Sequence, residues 1–148
     1  MADEPLQSRK HILRQLGFHS NASRASWSHD SGDSIVFDAW DHQWERDAAG
    51  APLRYPLRTA SSGYSYQDSI ENPRQGHTRW QKHVDLVLSG KRRPRAILPV
   101  ANDPSSRPNK GAQGWRPVVI DGRIARDEHG DIWLVASRFT QLPPASLR

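Results

Sequence analysis

Six tryptophans in a chain of 148 residues with 35% hydrophobic content and a mean hydropathy of −0.81 set the first limit on the fold. So polar a chain builds a core only if a few large side chains supply much of it, and each Trp buries a large apolar area. At 16.8 kDa there is room for one such core and little for a second, so 1–148 is expected to form a single domain.

The pattern along the chain predicts mixed structure. Glu4 to Leu16 reads as a first helix, with Leu6, Ile12, Leu13 and Leu16 on one side and Gly17 at the stop. Phe18 to Asp33 reads as loop, and Ser34 to Trp40 as a central strand. Asp41 to Asp47 is expected to make a helical turn, and Arg54 to Arg58 a strand interrupted by Pro56. Thr78 to Ser89 is the clearest helix, because Trp80, Val84, Val87 and Leu88 share one stripe and Gly90 closes it. Ala96–Val100, Trp115–Asp121, Arg123–Arg126 and Asp131–Ser137 read as strands, with long polar loops at Thr59–Gly76 and Asn102–Gly114 and a loose tail at 141–148. This order predicts an α+β fold: a small curved sheet or half-open barrel with two or three flanking helices.

Charge is distributed unevenly over that frame. From Arg74 to Arg116 ten Lys or Arg stand against Asp85 and Asp103, a balance of +8 in a chain whose total is +5. Trp27 to Gly50 holds six acids against Arg46 alone. A segment so one-sided predicts a surface for a polyanion, with Arg79, Lys82, Lys91, Arg92, Arg93, Arg95, Arg107 and Lys110 as phosphate-binding candidates. A solvated helix end accounts for two or three of these cations and poorly for the rest. Aromatics on loops over such a groove are what stacking an unpaired or extruded base requires. Trp80 and Trp133 fall on a helix stripe and in a strand and are core candidates, whereas Trp27, Trp40, Trp44 and Tyr64, with Asp38 or Asp41 as acceptors, are base-pocket candidates.

Catalytic templates fit less well. Asp33, Asp38, Asp41, Glu45 and Asp47 crowd one region, but no Asp/Glu-x-Lys triplet accompanies them, and an Arg does not replace that Lys. No helical i,i+4 His pair, Gly-x-Ser-x-Gly elbow, P-loop or dinucleotide fingerprint occurs, so no catalytic residue, metal site or cofactor is expected. The absence of Cys excludes disulfides and thiolate metal sites and fits a reducing cytoplasm. The polar start of the chain offers no signal-peptide core, and no apolar run is long enough to span a bilayer, so a cytoplasmic protein without a membrane partner is expected.

The stretch Ile35–Asp47, followed by Gly76-His77-Thr78-Arg79-Trp80 and Arg95–Val100, resembles a module near the N-terminus of some bacterial HNH endonucleases. Similar modules in modification-dependent restriction enzymes read methylated DNA, some through barrels related to the PUA and SRA groups. The chain holds no HNH segment, so the resemblance implies the reader alone. It implies that Trp40, Trp44 and Asp38 or Asp41 shape a base pocket while Arg79, Arg92 and Arg93 grip phosphate. The leading expectation is a DNA-binding module for a modified, methylated base, with a nuclease domain or another protein as a further partner. The alternatives are a metal-dependent nuclease using the Asp33–Asp47 acids, an RNA-binding protein, and an adaptor with a basic docking face.

Overall fold

Asp38 leaves its strand on the opposite side from Phe37, and that alternation divides the molecule into two layers of core. The computed structural model describes residues 5–18, 27–60, 73–105 and 111–143. Among them are a helix α1 (Arg9–Gln15), strands β1 (Ser28–Asp30) and β2 (Ser34–Asp38), and a 3-10 turn at Asp41–Gln43. Strands β3 (Glu45–Arg46) and β4 (Leu53–Arg58), helix α2 (Pro73–Leu88), and strands β5 (Arg93–Ala101), β6 (Ala112–Arg126) and β7 (Ile132–Gln141) follow.

The strands form one seven-stranded sheet in the order β1-β2-β5-β6-β7-β4-β3. Among the described residues only β2 and β5 pair in parallel; every other pair of strands is antiparallel. The fold is therefore α+β, with two helices among the described residues and a sheet that is not closed into a barrel.

The two helices pack on opposite faces. Trp80, Val84 and Val87 of α2 join Ile35, Phe37, Leu57, Ala96, Leu98, Ile120 and Leu134 in the larger core. The Trp80 ring meets Phe37 edge-on at 4.9 Å, and its Nε1 donates to the Leu57 carbonyl at 2.7 Å. Ile12 and Leu13 of α1 cover Val36, Ile97 and Val119, the residues that alternation turns the other way. Full burial of each such side chain is worth about 1.5–3 kcal/mol.

Several expected boundaries move for local reasons. The first helix starts at Arg9, not Glu4: Ser8 caps it by accepting from the His11 N–H, and Gln7 is held extended by two backbone bonds to Trp115. The Phe18–Asp33 loop contains a strand, β1. The tail is tied down further than expected, since Gln141 ends β7 and the Leu142 N–H donates to the Pro117 carbonyl. Residues 61–72 of the Thr59–Gly76 loop lie outside the described residues.

Trp115–Asp121 and Arg123–Arg126, expected as separate strands, are one strand with a register shift at Asp121/Gly122. A Cβ at Gly122 would stand 2.5 Å from the Val135 carbonyl oxygen and 2.7 Å from Leu134 Cδ1. Gly122→Ala is accordingly expected to destabilise the chain by about 1–3 kcal/mol, read as a lower urea midpoint. An unchanged midpoint would show that the bulge relaxes freely.

Candidate nucleic-acid interface

The acids and bases that are segregated along the chain meet again in space. Arg92 grips Asp30 through Nε at 2.7 Å and a second nitrogen at 3.3 Å. That bond raises the Arg92 pKa and holds the Asp30 carboxyl below its ordinary range. Arg95 donates to Asp121 at 2.9 Å, directly across the β5–β6 pair, and Arg138 approaches the other oxygen at 3.4 Å. Arg116 binds Asp41 at 3.0 Å, and that hydrogen bond raises the Arg116 pKa. Arg92 and Arg95, expected to be open to phosphate, are thus already engaged by carboxylates.

The remaining cations of the segment define a corner. Lys82 on α2, Lys91 in the α2–β5 turn and Arg93 at the start of β5 are exposed and have no acidic partner among the described residues. Arg79 lies one turn from Lys82 and is exposed as well. Arg107 and Lys110 lie outside the described residues. The corner is positioned by His83, which is buried with its Nδ1 2.6 Å from Ser28 Oγ of β1 and so fastens α2 to the sheet edge.

The base-pocket candidates do not converge on an opening. Trp40 is 0% exposed, inside the larger core, with Trp27 tilted against it at 5.5 Å. Asp38 is also 0% exposed. Its Oδ1 accepts from Trp115 Nε1 at 2.8 Å and its Oδ2 from His29 Nε2 at 2.9 Å. The Arg9 guanidinium stands 3.6 Å from Oδ2 and 5.5–5.6 Å from the Trp115 and Trp27 ring centres. Neither Trp40 nor Asp38 therefore presents a surface to a base, correcting the pocket reading of that pair. Asp41 is occupied by Arg116, Trp27 and Trp44 are half-buried against the core, and Tyr64 lies outside the described residues.

The acids proposed for metal chemistry are spread out too. Asp33 accepts from Ser31, while Glu45 and Asp47 both reach Arg54. Among the described residues no group of three or more His, Asp or Glu could hold a metal ion, and no helix is long and apolar enough to cross a membrane.

Sequence reasoning missed a second basic and aromatic feature. On β4, the Arg54 guanidinium lies 3.6 Å above the centre of the Trp133 ring of β7. Period-two alternation over β4, β6 and β7 places Arg54, Arg123, Trp133 and Val135 on one face, and the spacing was readable only once the strand pairing was known. Compared with known proteins, the chain matches no family model, no curated protein and no solved structure.

Asp38→Ala removes the acceptor shared by Trp115 and His29 and the countercharge of Arg9, and leaves Arg9 and His29 facing an apolar gap. It is expected to cost about 3–5 kcal/mol in chemical unfolding. A loss below that of an ordinary surface substitution would mean the network is dispensable. His83 has its pKa lowered from 6.5 to about 4, chiefly because burial disfavours the imidazolium, with His29, Arg79 and Lys82 adding to the effect and Asp30 opposing it. The unfolded chain therefore takes up this proton first: the stability contribution is complete above about pH 6.5 and is lost as pH falls towards 4. Urea midpoints measured over that window should fall more steeply for the native chain than for His83→Gln, and parallel curves would overturn the assignment.

Proposed function

We propose that this chain is a DNA-binding module that grips phosphates at the corner where α2 meets β5, and that the feature it selects is a modified, methylated base. The observation that carries the first part is the exposure of Lys82, Lys91 and Arg93 without carboxylate partners among the described residues, beside acids already consumed by Arg92 and Arg95. Cations with no internal partner keep their charge for an external anion, and each phosphate neutralised releases condensed counterions. The fixed pairs add rigidity: Arg92 on Asp30 ties the turn to β1, so the neighbouring Lys91 and Arg93 stand on a firm base. The second part follows from the resemblance of Ile35–Asp47 and Gly76–Trp80 to reader modules of modification-dependent restriction enzymes. Extruding a base costs a few kcal/mol, which stacking can offset, but Trp40 and Asp38 are enclosed and the platform must be elsewhere.

Fluorescence anisotropy at several salt concentrations tests both parts, with plain, N6-methyladenine and 5-methylcytosine duplexes and single-stranded RNA. The chain is expected to prefer one methylated duplex. Combined Lys82→Ala, Lys91→Ala and Arg93→Ala should weaken binding to every duplex and reduce the log–log salt slope by about 2–3. An unaltered slope would remove the corner from the interface, equal affinity for modified and plain duplexes would remove the modified base, and preference for RNA would replace the ligand.

A further inference from the structure

Between β4, β6 and β7 lies a groove of about 300 Å³ on the sheet face that α1 leaves open. Its floor is the stack of Arg54 on Trp133, and Pro52 and Val135 supply apolar wall. The stack is held from three directions. Glu45 and Asp47 take one guanidinium nitrogen of Arg54 at 3.1 and 3.5 Å, and the indole beneath is fixed by Nε1 donating to Asp127 at 2.9 Å. Asp127 in turn accepts the backbone N–H groups of His129 and Asp131, so the β6–β7 turn itself locks the ring. Arg54 Nε is buried and has no hydrogen-bond partner among the described residues. Arg123 and Arg126, which also line the groove, are exposed and unpaired among the described residues.

We propose that this groove is the base-binding subsite of the module: an unpaired or extruded nucleobase stacks on the outer face of the Arg54 guanidinium, and the adjoining phosphate is taken by Arg123 and Arg126. The inference rests on the nucleic-acid reading above and supplies the platform that Trp40 cannot be. A guanidinium plane is a recognised stacking surface for bases, and one already laid on an indole needs no ordering when the base arrives. The mixed charge of the groove favours a nucleotide over a bare anion. Asp127 is committed to Trp133 and Asp47 to Arg54, but Glu128 at the rim is an exposed carboxylate that accepts from an exocyclic amino group, which favours adenine, cytosine or guanine over thymine. The volume suits one nucleotide and lies at the lower end for ligand pockets.

The test compares the full chain's affinity for a short oligodeoxyadenylate with that for a matching oligomer of abasic deoxyribose phosphates. The native chain should bind the base-bearing strand about tenfold more tightly. Arg54→Lys keeps the charge and loses the plane; it should bring the ratio of the two affinities down to about one. Arg123→Ala with Arg126→Ala, on exposed side chains that do not threaten the fold, should weaken both strands and lower the salt slope. Equal affinity of the native chain for both strands, with the corner variant still defective, would overturn the groove and leave the phosphate-binding reading intact. So would a base preference that survives Arg54→Lys. Failure to bind either strand or any duplex would remove both.

Discussion

The carboxylate of Asp38 is the point on which the other parts of this structure depend. It sits with no solvent contact and draws in an arginine from α1, a histidine from β1 and an indole from β6. A buried charge is tolerable only when its partners supply both countercharge and hydrogen bonds, and here Arg9 supplies the first while His29 and Trp115 supply the second. Arg9 is itself enclosed by the rings of Trp27 and Trp115. One side chain therefore couples the β1–β2 pair to two segments remote from it in sequence, α1 and β6, and sets the seat of α1 against the sheet. The face on which α1 sits is thereby closed at one end and left open at the other.

The helix around Trp80 and the strands through Val36, Ile97 and Leu134 were readable in the sequence because apolar periodicity and burial agree there. β1 was not, because Ser28-His29-Asp30 has no apolar run; Ser28 and His29 are buried by polar bonds to His83 and Asp38. The continuity of β6 was hidden by Asp121-Gly122, a pair that resembles a turn yet forms a bulge. Prolines misled less than expected. Pro56, Pro94 and Pro99 each lie where the strand has a neighbour on one side only, so the missing N–H is not needed.

The candidate site residues were harder to read, for an electrostatic reason. Composition along the chain reports charge before pairing, whereas a ligand meets what is left afterwards. Asp30, Asp41 and Asp121 draw on Arg92, Arg116 and Arg95, across separations that no local pattern reveals. Asp38 resembled a pocket acid for the same reason, since its indole partner lies 77 residues away. The Arg54–Trp133 stack joins the two ends of another long separation and arises wholly from the register of β4 on β7.

The sheet also tapers outward. Its interior strands β5, β6 and β7 run for nine, fifteen and ten residues, whereas the borders β1 and β3 have three and two. Open strand borders invite another chain to add itself to the ladder, and short ones offer too few peptide groups for that to hold. Beyond β3, the outer side of β4 carries Pro56, which has no N–H to offer a newcomer. Neighbouring copies of the chain would thus have little means of fusing into a continuous sheet through these borders.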